Sequence, residues 1–304
     1  MRVLIIAEKQ VTAKPFVKAM KERGIKTNYL QLIKISLVSK HKNTIIKAID
    51  EDIPKYDAVF LQARPNLAPF IEPLIEALSD KKVYCNALPG AFYLAVNEPY
   101  KFINLSVNKI PTPKTLFSGS AKNIERVSKK IAYPLIAKSY KGKDVQQSMV
   151  VSSDSELKNF VKSIKTKIDG FMLREYLDDC VISCVAVGEK VYAIDRKING
   201  ACVDIEKGKS CSLNDTQKSI VINATKACGL DIARVDIVKG KVIAVETEIP
   251  LEIFNNACSA NIENTVASFF EDKVNSVGAK VHVSDEIFEL TSKLKKTIFG
   301  RFLK

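Results

Sequence analysis

Residues 234–249 read RVDIVKGKVIAVETEI, and this stretch decides the fold of the C-terminal half of the chain. Apolar and polar residues alternate on both sides of residues 239–241, a pattern typical of two antiparallel strands joined by a tight turn. We take these three residues as the loop, with Gly240 in the left-handed conformation. This register places Asp236 opposite Ala244.

Strand periodicity then predicts that three carboxylates, Asp236, Glu246 and Glu248, share one face of the hairpin. Asp236 and Glu246 become diagonal neighbours at roughly 7–8 Å. Three close carboxylates raise one another's pKa unless a cation binds them, and oxygen ligands of this kind suit Mg²⁺ or Mn²⁺ completed by phosphate oxygens. The spacing alone leaves a second interpretation open, in which they form the solvated face of a half-buried strand.

The composition limits the classes of protein to which the chain can belong. Of 304 residues, 46% are hydrophobic and 27% charged, as in folded globular proteins. Two histidines disfavour a zinc site or a histidine triad. The opening MRVLIIAEKQ predicts a first strand rather than a secretory signal, and no apolar run reaches the length of a membrane span, so we expect a cytosolic protein.

The formal net charge of +13 favours an anionic partner, although the same charge could simply form a solvated basic surface. Basic residues are spread along the chain without interleaved aromatic residues or a nucleic-acid motif, which disfavours DNA or RNA as the partner. The sequence leaves formation of a homo-oligomer open.

The chain is predicted to be a mixed α/β (α+β) protein with four segments. Segment 1–110 alternates strands (2–7, 56–61, 83–84) with helices (13–23, 68–78), which predicts a small parallel sheet without a GxGxxG fingerprint. Segment 111–173 contains predicted helices at 121–131 and 153–164, capped by Ser120 and Ser153, and strands at 134–138 and 148–152. Segment 174–278 contains further strands, helices at 215–229 and 260–273, and the hairpin. Segment 279–304 has the spacing of a basic amphipathic helix.

Three features are weak when each is taken separately. Lys138 ends the apolar strand PLIAK, where an ammonium can meet a phosphate or simply reach solvent. Lys101 reads as an ordinary surface lysine. Residues 172–177, MLREYL, resemble a hinge that reads adenine through backbone groups, or an ordinary strand end.

The order of these motifs is more specific than any one of them. NALPGAFYLAVNEPYKF, KIPTPKT, YPLIAKSYKG, FMLREYL, VAVGEKVYAIDRK and LDIARVDIVKGKVIAVETEIP follow one another from residue 86 to residue 250. The series resembles the ATP-grasp superfamily, and most closely its RimK/LysX-like carboxylate–amine ligases. The resemblance extends over about residues 2–273. It implies an N-terminal Rossmann-like pre-ATP-grasp domain (1–110), a central lid (111–173) and a C-terminal ATP-grasp domain (174–278).

The resemblance also implies roles for individual residues. Eight residues are implied to contact the nucleotide. They are the hinge residues Glu175, Tyr176 and Leu177, the lysines before and after the KIPTPKT segment, Lys101 and Lys138, the lid-loop lysines Lys141 and Lys143, and the acid after the hinge, Asp179. Metal ligands fall on Asp236, Glu246 and Glu248, and Arg196 joins Lys138 as a catalytic candidate. The implied reaction uses Mg-ATP to join a carboxylate to an amine, such as that of glutamate, through an acyl phosphate. The implied substrates are a small acidic metabolite or peptide acceptor and an amino acid.

Four departures from the family pattern keep an alternative open. The lid loop KGKDVQQSM has a single glycine, and Val181 stands where an acid contacts the ribose, so that Asp178 or Asp179 must substitute. The stretch CVDIEKGK lacks the expected arginines, and Glu248 replaces an asparagine. The alternative is a degenerate ATP-grasp protein that binds nucleotide without ligase activity and serves as a binding or regulatory partner.

Overall fold

The structure is a computed structural model that describes residues 1–41, 43–48, 53–142, 144–164, 168–199, 202–203 and 208–276. The tail helix predicted over 279–304 and the lid-loop lysine Lys143 lie outside the described residues. None of the helices in the described ranges combines the length and the apolar character that crossing a bilayer requires.

The first part of the chain folds around a parallel sheet, as the alternating pattern predicts. Its sheet has the strand order β2-β1-β5-β6. Buried apolar runs form the two central strands, β1 and β5. An antiparallel hairpin, β3–β4, was not predicted. The elements are β1 (Arg2–Ala7), α1 (Gln10–Glu22), β2 (Lys26–Gln31), β3 (Ile35–Lys40), β4 (Asn43–Ala48), β5 (Ala58–Gln62), α2 (Ala68–Asp80) and β6 (Tyr84–Cys85).

Two further helices that were not predicted, α3 (Ala91–Val96) and α4 (Glu98–Val107), lead out of this sheet. The side chain of Asn97 caps α4 by accepting a hydrogen bond from the backbone N–H of Tyr100 at 3.0 Å. Pro99 lies in the first turn, where its missing N–H costs nothing. The Asn-Glu-Pro sequence was therefore an available helix-start signal.

The middle of the chain forms an antiparallel sheet of order β7-β10-β8-β9. Helices α5 and α6 cover one of its faces and bury Leu135, Ala137 and Leu173 there. Ser120 and Ser153 cap these two helices as predicted. The elements are β7 (Thr115–Ser118), α5 (Ala121–Ser128), β8 (Leu135–Lys141), β9 (Asp144–Val151), α6 (Asp154–Ser163) and β10 (Gly170–Glu175). Strand β10 runs past residue 173, and the domain boundaries given above stay predictions.

The last part forms an antiparallel sheet of order β15-β12-β11-β16-β17. Helix α7 packs on one face, and α8 and α9 pack on the other. The elements are β11 (Val181–Val187), β12 (Lys190–Arg196), β13 (Ile198–Asn199), β14 (Cys202–Val203), β15 (Lys209–Ser210), α7 (Asp215–Ala227), β16 (Ile232–Val238), β17 (Lys241–Glu246), α8 (Leu251–Cys258) and α9 (Ile262–Ser276).

The β16–β17 turn differs from the predicted three-residue loop. Val238 pairs with Lys241, so the loop is only Lys239-Gly240, and both residues have positive φ, 49° and 73°. This is the backbone that a two-residue type I′ turn requires. The register shifts after Asp236, which restores the predicted pairing of Asp236 with Ala244. The predicted register at the carboxylates is thus correct, because the bulge compensates for the shorter loop.

Aromatic packing joins the first and last parts of the chain. The Phe270 ring on α9 lies 5.3 Å from the Phe60 ring on β5 and 5.7 Å from the Tyr84 ring on β6. Phe60 in turn stacks edge-on against Phe16 of α1 at 4.9 Å. Phe270 is fully buried, so this cluster fixes how α9 sits on the parallel sheet.

We predict that Phe270→Ala lowers the free energy of unfolding by about 3–5 kcal/mol, because it leaves a cavity among rings from both ends of the chain. Urea denaturation followed by tyrosine fluorescence or circular dichroism measures this loss. Phe269→Ala is the matched control, since its half-buried ring should cost clearly less. Equal losses in the two variants would contradict a central role for Phe270.

Candidate functional site

One face of the last sheet gathers the charged residues that the sequence singled out. Asp236 on β16 pairs directly with Ser183 on β11. Arg234 pairs with Glu246 on β17, so both lie on the same face as Asp236. Arg196 on β12 pairs with Val181, two residues before Ser183, which places it on this face as well.

The polar and charged side chains on this face are buried, so they need hydrogen-bond or ion-pair partners within the protein. Asp236 and Arg196 are each 3% exposed, and Ser183 is fully buried. The Arg196 guanidinium lies over the Phe254 ring of α8 at 5.5 Å. Arg234 approaches Asp236 Oδ2 at 3.4 Å, whereas Asp236 Oδ1 and the Ser183 hydroxyl have no hydrogen-bond partner among the residues that the structure describes. A buried carboxylate oxygen without a partner is costly, so this face is suited to receiving a cation or donor.

Lys101 of α4 crosses to the edge strand of this sheet. Its Nζ donates to the carbonyl oxygen of Val245 at 2.9 Å and to Glu246 Oε1 at 3.1 Å. Only 4% of Lys101 is exposed, so it is not the surface lysine that its sequence context suggested. The buried ammonium is stabilised because it meets a carboxylate and a backbone carbonyl together.

Glu98, at the first turn of α4, binds a set of donors on the middle sheet. Lys138 Nζ lies 2.8 Å from Glu98 Oε1 and 2.9 Å from Oε2. The Tyr140 hydroxyl donates to Oε2 at 2.7 Å, and Arg174 Nη1 reaches Oε1 at 3.4 Å. Burial acts to raise the pKa of Glu98, but the charges of Lys138 and Arg174 outweigh it and hold the pKa below its usual value.

Arg174 also binds the edge strand β17. Its Nη1 donates to the carbonyl oxygen of Ile243 at 3.3 Å, and its guanidinium lies over the Phe102 ring at 5.3 Å. The N–H of Val242 donates to the carbonyl oxygen of Pro111 at 2.8 Å. Side chains from α4 and β10 thus satisfy backbone groups of a sheet edge that would otherwise stay open.

Sequence reasoning missed Glu98 and Arg174. A charged residue within the apolar strand FMLRE was the available signal, because buried cations need a partner.

The predicted hinge lies where the middle sheet ends. Lys241 Nζ contacts both carboxylate oxygens of Glu175, at 3.0 and 2.8 Å, and the N–H of Lys114 donates to Oε2 at 3.1 Å. The N–H groups of Glu175 and Tyr176 donate to the carbonyl oxygens of Lys114, at 2.9 Å, and Pro134, at 3.4 Å. Beyond the strand, Leu177 is half-buried.

The remaining predicted nucleotide contacts lie at the periphery. Asp179 is exposed and accepts a hydrogen bond from the N–H of Cys180 at 2.8 Å. Lys141 is exposed at the end of β8, and the N–H of Gly142 after it donates to Asp169 Oδ2 at 2.6 Å. Asp179 and Lys141 are therefore exposed and lie outside the buried cluster of charged residues.

The predicted metal ligands are paired with protein cations. In the part of the chain that the structure describes, no three histidine, cysteine, aspartate or glutamate side chains form a group that could hold a metal ion. Glu246 meets Lys101 and Asp236 meets Arg234, while Glu248 is exposed beyond the end of β17. The Asp236 Oδ1 atom still fits a hard cation, because a carboxylate oxygen without a donor is the ligand that Mg²⁺ takes.

A cavity of about 730 Å³ opens next to Glu248, between the parallel sheet and the beginning of α8 and α9. Residues after three parallel strands line it, namely Glu8, Arg64 and Asn86, together with Thr247 and Glu248. The carboxyl ends of parallel strands commonly form such ligand crevices. Thr247 Oγ1 donates to the carbonyl oxygen of Ala63 at 3.3 Å and fixes this wall.

We predict that Glu98→Gln lowers the free energy of unfolding by about 3 kcal/mol at neutral pH, because it leaves Lys138 and Arg174 without their shared anion. The folded-state pKa of Glu98 is depressed, so its contribution is complete above its unfolded pKa near 4.5 and is lost as pH falls through the lower folded value. The difference in the free energy of unfolding between wild type and variant should therefore become smaller below pH 4.5, as measured by urea denaturation at a series of pH values.

Glu22→Gln, at an exposed ion pair with Lys18 on α1, is the matched control and should show no measurable loss. If the loss in free energy of unfolding caused by Glu98→Gln stays constant down to acid pH, Glu98 does not act as an ionised partner of Lys138 and Arg174.

Comparisons with known proteins agree with this architecture. A model of the RimK-like ATP-grasp domain matches residues 99–269, more than half of the chain. A probable alpha-L-glutamate ligase of Haemophilus influenzae is 23% identical over 233 residues, covering 72% of this chain and 77% of that protein. The ATP-grasp ligase PsnB, solved with a minimal precursor, Mg and ADP, superposes with a TM-score of 0.70 at 12% identity, covering 90% of this chain and 98% of PsnB.

The RimK-domain ATP-grasp protein of Sphaerobacter thermophilus superposes with a TM-score of 0.65 at 13% identity, covering 88% of this chain and 99% of that one. Fold, order of motifs and family model therefore agree, and this chain belongs to the RimK-like ATP-grasp family of ligases.

Proposed function

We propose that this protein uses Mg-ATP to join a carboxylate to an amine, and that the nucleotide binds between the middle sheet and the last sheet. One observation carries the proposal. Lys101, which is buried, binds the edge strand β17, and the half-buried Lys138 binds Glu98 in the first turn of the same helix, α4. On the neighbouring strand β16, Asp236 has a carboxylate oxygen without a hydrogen-bond partner among the described residues. Phosphate groups and a divalent cation are ligands that such a mixture of charges takes.

Residue roles follow from the positions of these groups. Lys138 and Lys101 are proposed to bind phosphate oxygens, with the exposed Lys141 and the lid-loop Lys143 adding charge at the open side. The N–H groups of Glu175 and Tyr176 already have acceptors, so we assign adenine recognition to the carbonyl of Glu175 and the N–H of Leu177. Asp179 is proposed to contact the ribose.

Asp236 and Glu246 are the residues that would hold Mg²⁺, and Glu248 would join from the cavity side. When bound, the metal ion would neutralise phosphate charge and orient the transferred group. Arg196 and the neighbouring Arg234 supply guanidinium groups on the same sheet face, where the family's arginine-rich stretch is replaced in the sequence.

The reaction in this site has two steps. A substrate carboxylate oxygen attacks the γ-phosphorus, the bond to the β–γ bridging oxygen breaks, and an acyl phosphate and ADP result. The amine then attacks the acyl carbon, and inorganic phosphate leaves as the amide forms and the amine loses a proton. Catalysis depends on positioning and charge neutralisation by this chain's lysines and arginines.

Because Lys138 is bound to Glu98, a nucleotide phosphate has to compete with the Glu98 carboxylate for the Lys138 ammonium. An incoming phosphate must replace Glu98 at the Lys138 ammonium, and Tyr140 and Arg174 then keep the displaced carboxylate hydrogen-bonded. We therefore propose that the Lys138 side chain turns from Glu98 to the phosphate when nucleotide binds, while Glu98 stays bound to the middle sheet.

The names of the relatives guide the choice of substrates. The Haemophilus protein is named a glutamate ligase and PsnB was solved with a peptide precursor, so we propose an amino acid or peptide as a component of this reaction.

We predict that Mg-ATP at one hundred times its Kd stabilises the protein by about 2.7 kcal/mol and raises the Tm accordingly. Asp236→Asn and Glu246→Gln should abolish the part of this shift that depends on Mg²⁺. Asp215→Asn, at a fully exposed carboxylate, is the matched control and should keep the whole shift. Differential scanning fluorimetry with ATP, with and without Mg²⁺, gives the result.

An unchanged Mg²⁺-dependent shift in both site variants would contradict the metal assignment. Release of inorganic phosphate that depends on one member of an amino-acid or peptide panel separates a ligase from a protein that only binds nucleotide.

A further inference from the structure

The 730 Å³ cavity has the size of a small-molecule site. It lies between the carboxyl edge of the parallel sheet and the segment from Thr247 to Val266. Its wall includes Glu248, which connects it to the proposed Mg²⁺ site. Glu248 lies two residues after Glu246 in the chain, so the cavity adjoins the proposed metal ligands.

The walls of the cavity are largely apolar. Phe16, Phe60, Phe92, Ile232 and Ile262 line it. These five side chains are buried in the two main cores, so their positions do not depend on a bound molecule. Such walls favour a ligand with an apolar body, because burial of apolar area adds free energy of binding.

The charge of the cavity is opposite to that of the whole protein. Of the described residues that line it, four are acidic and two are basic. Glu8 and Arg64 neutralise each other through a two-pronged contact, with Arg64 Nε and Nη2 at 2.9 and 2.7 Å from Glu8 Oε2 and Nε at 3.2 Å from Oε1. The charges that remain in the lining are the three carboxylates of Glu248, Glu252 and Glu263 and the single ammonium of Lys9.

The carboxylate of Glu263 is held in place by its neighbour. Asn255 Nδ2 donates to Glu263 Oε2 at 2.7 Å, and Asn255 Oδ1 accepts from the N–H of Ile262 at 2.9 Å. With Glu248 assigned to Mg²⁺, Glu252 and Glu263 still outnumber Lys9. The small acidic acceptor that the family resemblance implies would therefore meet a repulsive local field in this cavity, despite the net charge of +13.

We propose that the cavity binds the amine component of the reaction, and that this component carries an apolar side group and an ammonium received by Glu252 and Glu263. This inference rests on the proposed ligase function. It narrows the amine from amino acids in general to apolar ones, and it disfavours glutamate.

Two probes with the same apolar body separate charge from shape. Leucinamide carries an amine and no carboxylate, and N-acetylleucine carries a carboxylate and no amine. We expect isothermal titration calorimetry of the full chain with Mg²⁺ and a non-hydrolysable ATP analogue to show leucinamide binding at least tenfold more tightly. Glu252→Gln with Glu263→Gln should weaken leucinamide binding about tenfold, since each lost pair is worth up to about 1 kcal/mol.

Glu189→Gln, an exposed carboxylate in the β11–β12 turn outside the lining, is the matched control and should leave leucinamide binding unchanged. Tighter binding of N-acetylleucine, or equal leucinamide binding in the double variant and wild type, overturns the inference. The Mg-ATP shift in Tm, measured on the same samples, distinguishes this failure from failure of the proposed function. If the shift persists, only the substrate assignment is wrong, and if it is absent, the nucleotide site itself is wrong.

Discussion

The arrangement of this protein depends on the pairing of buried and partly buried cations with carboxylates at the junction of its sheets. Lys138 and Arg174 share Glu98, Lys101 meets Glu246, Arg234 meets Asp236, and Lys241 meets Glu175. Several of these groups are nearly inaccessible to water, and an unpaired buried charge would cost several kcal/mol. The lysines that we propose to bind phosphate, Lys101 and Lys138, are therefore held by carboxylates within the protein.

This pairing also connects the parts of the chain. Glu98 and Lys101 both lie on α4, yet one binds the middle sheet and the other binds the last sheet. Arg174 adds a contact from β10 to the edge of β17. A phosphate that replaces Glu98 at Lys138 would therefore act on one of the contacts between α4 and the middle sheet.

Elements with a clear hydrophobic period or a clear helix cap could be predicted from the sequence. The buried runs of β1 and β5, the caps at Ser120 and Ser153, and the pairing of Asp236 with Ala244 were all predicted. The predicted β16–β17 loop was one residue too long, because a bulge cannot be recognised from the alternation of apolar and polar residues alone.

The partners of Lys138 and Lys101 could not be predicted from local pattern, since Glu98 lies 40 residues from Lys138 and Glu246 lies 145 residues from Lys101. Only the fold brings them together. The acidic lining of the cavity was hidden for the same reason, because net charge says nothing about which residues line one crevice.

Above all, we propose that nucleotide phosphate takes the place of Glu98 at Lys138 while Asp236 and Glu246 hold the metal ion. A crystal structure with Mg²⁺ and a non-hydrolysable ATP analogue tests this proposal most directly. We expect a phosphate oxygen within hydrogen-bond distance of Lys138 Nζ and Mg²⁺ on Asp236 Oδ1. Nucleotide bound elsewhere, with Lys138 still bound to Glu98, would contradict it.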